Sequence, residues 1–149
     1  MNETKAIDVV VTMTSASSYV TGDYVGADGV ALVFAGAASQ LGTGTIVSAV
    51  LIDAAVQSIS AELWLFDSIP TPPADSAAWT VSDADAAHCI GVIPFATYYA
   101  SAANSLSFAQ GIGLGYKTSN NTIYGCLVTR GSPTYTSECL TVRLLVWQD

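Results

Sequence analysis

The sequence predicts an all-β fold, an antiparallel β-sandwich of jelly-roll type with one short helix near residues 83–88. Three observations predict it. Apolar residues recur at every second position in segment after segment, the spacing of half-buried strands. Gly, Pro, Asn and Asp punctuate these segments at short intervals, as turns require. No strand and helix alternation repeats along the chain, which argues against a parallel α/β architecture. The 149 residues fit one domain. Residues 1–6 are polar and read as an N-terminal arm, and residues 7–149 read as a single sandwich domain.

Taken in order, Ile7, Val9, Val11 and Met13 alternate with Asp8, Val10, Thr12 and Thr14, which gives a first strand with one apolar face. Tyr19 to Gly26 carries a turn at Gly22-Asp23, and Asp28-Gly29 introduces Val30 to Phe34, so short strands flank each turn. Residues 44–57 are long and β-branched and fit a central strand buried on one face. In residues 61–67, Leu63 and Leu65 alternate with Trp64 and Phe66. Both faces are apolar, so both are expected to be covered. Pro70, Pro72 and Pro73 cannot continue a ladder or a helix and mark a long ordered loop. Ser82-Asp83-Ala84-Asp85 resembles a capping box and starts a turn or two of helix to His88. Strands resume at residues 89–95, 104–110, 122–129 and 135–147, for eight or nine in all.

Charged residues make up 11% of the chain, against roughly 25% in an average soluble domain, while hydrophobic residues reach 51%. That composition excludes intrinsic disorder. Ala, Ser, Thr and Gly supply 65 of the 149 residues, so small and hydroxylated side chains cover much of the exterior. Such a surface packs readily against another protein. The formal charge of -8 sets 12 acids against four scattered bases, Lys5, Lys117, Arg130 and Arg143. No basic patch forms, so nucleic acid is not an expected partner. The polar start lacks the basic and apolar regions of a signal peptide, and export by a cleaved signal is not expected. Residues 29–52 hold no charge, yet Gln40 to Thr45 interrupt the run short of a spanning helix, and no membrane partner is expected.

The chemical inventory is thin. Asp85 and His88, three apart on a helical turn, could pair or form half a metal site. The stronger reading is that Asp83 and Asp85 complement the helix N-terminus and His88 its C-terminal end. No second His or spaced Cys cluster completes a metal site, so no metal and no cofactor is expected. Gly111-Ile112-Gly113-Leu114-Gly115 has the wrong spacing for a dinucleotide loop and reads as a strand or turn with close backbone approach. Asp23, Asp28 and Asp53 could meet around a cation, but acids at strand ends usually cap backbone. A hairpin turn between Ser132 and Pro133 would set Cys126 opposite Cys139, read first as two buried thiols and second as a cross-strand disulfide. Tyr98, Tyr99 and Trp79 could line a sugar site, and a protein interface is the favoured alternative.

Several phrases carry a family resemblance. Ser18 to Gly26, Thr45 to Asp53, Leu63 to Thr71, Val81 to Asp85 leading to Gly91-Val92-Ile93, and the closing segment with Tyr124 to Val128 and Pro133 to Thr136 resemble small virion proteins encoded among the head genes of tailed bacteriophages. The resemblance spans most of the chain. It implies a non-enzymatic decoration or cement protein, synthesised in the host cytoplasm and seated on the capsid surface. Its implied partners are the major capsid protein and further copies of itself, as a homotrimer. Contact candidates are Tyr98, Tyr99 and Trp147 between subunits, with Pro70, Pro72, Pro73 and Trp79 and residues 1–6 toward the capsid. A carbohydrate-binding module, or a head-fibre or tail-associated part contacting the host surface, is the alternative.

Overall fold

The computed structural model describes residues 2–15 and 18–148. Eleven strands and one helix follow in order: β1 (Glu3–Val11), β2 (Tyr24–Val25), β3 (Leu32–Ala35), β4 (Thr43–Asp53), β5 (Ala61–Phe66), α1 (Asp83–Ala86), β6 (Cys89–Phe95), β7 (Tyr98–Ala100), β8 (Ser105–Ala109), β9 (Leu114–Lys117), β10 (Thr122–Thr129) and β11 (Leu140–Gln148). They form two antiparallel sheets. One runs β1-β11-β4-β8-β7, with β9 also paired to β4, and the other runs β2-β10-β5-β6, with β3 also paired to β10.

The pairs β2 with β3 and β8 with β9 each share one partner and count as single strands interrupted midway. One sheet then runs first, last, third, sixth and the other second, seventh, fourth, fifth, which is the jelly-roll order, with β7 added at an edge. The main core lies between the sheets. Leu51, Leu63, Leu65, Ile123, Leu127, Leu140, Val142, Leu144 and Val146 are all but sealed from solvent there. Gly125 makes room within its own sheet for the core side chains of Phe34, Leu63 and Leu65, since a Cβ at that position would lie 2.9 Å from the Phe34 ring.

A second, smaller core lies on the outer side of the five-stranded sheet. Tyr24, Phe66, Tyr124 and Cys126 are buried there under Trp79 and Val81. The segment between β5 and α1 supplies that cover and is stitched down along β2, where Tyr24 N donates to Ala77 O and Ser76 N to Tyr24 O. The expectation that both faces of residues 61–67 are covered holds for this reason.

Several boundaries differ from the sequence expectation. Residues 3–6 are not an arm: they pair with β11 from Glu3 opposite Gln148 onward and extend the first strand. That strand stops at Val11, short of Met13. The strand predicted over 44–57 ends at Asp53, whose carboxylate takes the backbone N–H groups of Ala55, Gln57 and Ser58 and folds the chain into a turn. The last strand begins at Leu140 and not at residue 135. A turn closed by Cys139 N to Thr136 O, with Glu138 at φ 63°, occupies the gap.

The hairpin between Cys126 and Cys139 does not exist. β10 and β11 belong to different sheets, so residues 130–139 cross from one to the other. Cys126 lies opposite Trp64 in the second core, and Cys139 sits in the main core. Both are buried free thiols, and the disulfide alternative falls.

Candidate functional site

Alternation along a strand assigns each residue to one side of its sheet, and on the six-stranded sheet the inner side is unambiguous. Leu140, Val142, Leu144 and Val146 of β11 point into the main core, so Thr141, Arg143, Leu145 and Trp147 point out. Register carries that outward side across the neighbours. Val10, Thr141, Ile52, Leu106 and Tyr99 form one row across five strands. Asp8, Arg143, Val50 and Phe108 form the next. Ala6, Leu145 and Ser48 follow, then Thr4, Trp147, Thr45 and Gly115.

An antiparallel sheet facing water on one side normally presents polar residues there. This one presents Val10, Val50, Ile52, Leu106, Phe108, Leu145, Tyr99 and Trp147. Tyr99 is 67% exposed, Trp147 50%, Val10 49% and Phe108 45%, so nothing within the chain covers them. The Tyr99 and Phe108 rings lie 6.2 Å apart beside an open depression that Thr97 and Gln110 complete.

β8 sharpens the point because its polarity is inverted. Ser105 and Ser107 face inward and are buried, with no hydrogen-bond partner for either hydroxyl, while Leu106 and Phe108 face outward. A strand selected only for the fold would place those apolar side chains inside.

Lys117 of β9 lies on this side opposite Thr43, and Asp8 and Arg143 are the only charged side chains on it among β1, β11, β4, β8 and β7. They neutralise each other in a two-pronged contact, Nε to Oδ1 at 2.7 Å and Nη2 to Oδ2 at 2.9 Å. The Arg143 hydrogen bonds hold the Asp8 carboxyl below the usual carboxylate range. The other side of the sandwich carries Asp83 and Asp85 on α1, Asp67 paired with His88, and Glu62 of β5 paired with Arg130.

The remaining candidates separate from this face. Tyr98 points inward and donates its hydroxyl to Ile59 O at 2.7 Å. Trp79 packs on Tyr24 and Trp64 in the second core, with ring centroids 5.9 and 5.5 Å away. Pro70 and Pro72 are buried and Pro73 half-buried, so burial within this chain removes Pro70 and Pro72 as contact surface. Of the aromatic candidates, only Tyr99 and Trp147 share the outer face.

The polar constellations resolve into structural roles. His88 lies just past α1 and pairs through Nδ1 with Asp67 at 2.8 Å, not with Asp85, whose carboxylate accepts from Thr71 N. Ser82 caps α1 by accepting from Asp85 N. Asp23 accepts from Val20 N, Asp28 from Asp75 N, and Asp53 from its own turn, so the three do not converge. Gly111 and Gly113 adopt positive φ in a turn that leads into β9.

Sequence reasoning missed Val10, Val50, Ile52, Leu106, Phe108 and Leu145 as surface residues. The available signal was the one used for residues 61–67, apolar residues in both phases of a strand. Leu140 to Trp147 carries it plainly.

No protein-family model matches this chain, and no curated protein does. Among solved structures it is similar to the VLP of the extra small virus of the giant freshwater prawn Macrobrachium rosenbergii, at 14% identity and a TM-score of 0.28, over 100% of this chain and 79% of that one. It is also similar to a marine algae virus of the order Picornavirales, at 14% identity and 0.20, over 96% of this chain and 65% of that one. Infectious bursal disease virus Gx strain follows at 13% and 0.21, over 98% and 36%. With TM-scores this low, the functional reading rests on the chain's own geometry.

Proposed function

We propose that this protein is a structural virion subunit that attaches to the outer surface of a capsid as an oligomer and stabilises the shell, in the manner of a decoration or cement protein. The observation that carries the proposal is the outer face of the six-stranded sheet, which presents at least one large apolar side chain in every row and includes a strand of inverted polarity. Such a face is an assembly surface. The jelly roll supports the reading, being an architecture used in capsids. The resemblance to phage head proteins supports the capsid as the place of assembly and the major capsid protein as the partner.

The mechanism is energetic. A subunit that binds the expanded shell better than its precursor stabilises it by linkage, and many copies acting together convert modest contacts into avidity. The net charge of -8 per copy gives each particle a negative exterior that discourages association with nucleic acid and with other particles. No step requires a catalytic group or a cofactor.

The test is addition of purified protein to particles that lack it. Saturation at a fixed high copy number, with a raised temperature of shell disruption, is the expected result. Failure to bind at any concentration would overturn the proposal.

The open depression beside Tyr99 and Phe108 favours a second reading, a carbohydrate-binding or head-fibre or tail-associated module, because aromatic faces stack on sugar rings. That reading expects glycan-array signal abolished by Tyr99→Ala. Trp79, the other aromatic that could line a sugar site, is packed in the second core and takes no part in that reading.

A further inference from the structure

We infer that the outer face of the six-stranded sheet is covered by the same face of a second copy of this chain, in a two-fold face-to-face contact. The inference goes beyond the proposed function and does not depend on it. Charge decides the occupant. The chain carries -8, so two copies repel through most orientations. Among the described residues of this face, Asp8 and Arg143 cancel within each copy, and Lys117 of β9 is the one further charge. A cationic partner would be drawn to the opposite side, where Asp83 and Asp85 lie on α1. The occupant of this face is therefore an uncharged apolar surface, and the chain itself supplies one.

Area agrees with that assignment. Five strands abreast at about 4.8 Å spacing, with lengths up to about 30 Å, give a face of roughly 600 Å² per copy before the relief of the side chains is counted. Doubled, that reaches the lower bound of about 1,200 Å² for a stable protein interface. The exposed aromatics, Tyr99, Phe108 and Trp147, supply the rigid anchors that such interfaces concentrate. A face that covers itself must be related by a two-fold axis, so the contact joins copies in pairs. The family resemblance implies a trimer, and the mass of the assembly distinguishes the two.

The experiment is a sedimentation and light-scattering series on the intact protein and on Val50→Glu, Leu145→Glu and Phe108→Ala, with Ala84→Glu on the opposite side as control. Circular dichroism and thermal melts verify folding. Wild type and A84E are expected at twice 15.4 kDa or an even multiple. Either Glu variant is expected to be a folded monomer, and F108A, which truncates a half-exposed ring beside Tyr99, to dissociate at higher concentration than wild type. A wild-type monomer at micromolar concentration, a trimer, or an oligomer unchanged by folded V50E, L145E and F108A would overturn the inference. Binding to particles is read separately. A dimer that ignores particles sinks the proposed function alone, and a trimer that saturates them sinks this inference alone.

Discussion

The hydroxyl of Tyr19 donates to both carboxylate oxygens of Asp75, at 2.9 and 3.1 Å, across 56 residues of sequence. The same carboxylate accepts from Ser15 N at 2.7 Å and Gly26 N at 3.2 Å, and Asp75 N donates to Asp28. One buried acid therefore ties the segment that covers the second core to the loops around β2. Asp75→Ala strands several buried donors at once and is expected to cost about 3 kcal/mol or more. Tyr19→Phe removes one donor to a charged acceptor and is expected to cost about 2 kcal/mol. Urea unfolding of the two variants measures both, and equal losses would show that Asp75 is held by Tyr19 alone.

Burial raises the pKa of five tyrosines, Tyr19, Tyr24, Tyr98, Tyr116 and Tyr135, and neighbouring acids push all but Tyr116 further up. A raised folded pKa stabilises the fold fully below the unfolded value of 10.0, and that contribution drains away as pH climbs above it. The protein is thus expected to lose stability above pH 10. Tyrosinate absorbance from these residues should rise in one step together with loss of circular dichroism. A gradual rise with the fold intact would contradict the burial described here.

Cys126 and Cys139 sit in separate cores, and burial pushes the Cys126 thiol up to about 12 and the Cys139 thiol upward. Three free thiols are expected by intact mass under non-reducing conditions. In the native state an aromatic disulfide reagent should label half-buried Cys89 first, and should reach Cys126 and Cys139 only on unfolding. Prompt labelling of Cys126 would mean that the second core opens readily.

Trp79 shields Tyr24, Trp64 and Cys126 from water. Trp79→Ala is expected to destabilise by about 2–3 kcal/mol, below the range for a fully buried Trp because the ring is part-exposed. Proteolysis should then concentrate in residues 67–82, with the jelly roll intact. Uniform cleavage throughout the chain would indicate that the second core is not a separable unit.

The sandwich was legible because its strands obey a two-residue period, and β6 and β10 match their expected bounds residue for residue. The long proline loop and the Ser82 cap were legible from backbone chemistry alone. β7 was not, since a strand of three residues carries too few positions to show a period. The end of β4 was hidden because nothing in residues 54–57 forbids a strand. Only the reach of the Asp53 carboxylate back to Ser58 N stops it. The Cys126 and Cys139 reading failed because local symmetry about a turn cannot reveal that the chain changes sheets there. Tyr99 and Trp147 were found as aromatics, whereas the face they share depends on the register between five strands.

The position of β11 between β1 and β4 also bears on how the chain acquires its fold. Its ladder with β1 joins residues nearly a full chain length apart, from Glu3 and Gln148 inward, and its ladder with β4 spans most of the remainder. Until residue 148 has been synthesised, β1 has no strand to pair with and the six-stranded sheet cannot close. Folding is therefore expected to be late and slow on the scale set by loop closure. Removal of the final nine residues would release the first strand as well as the last.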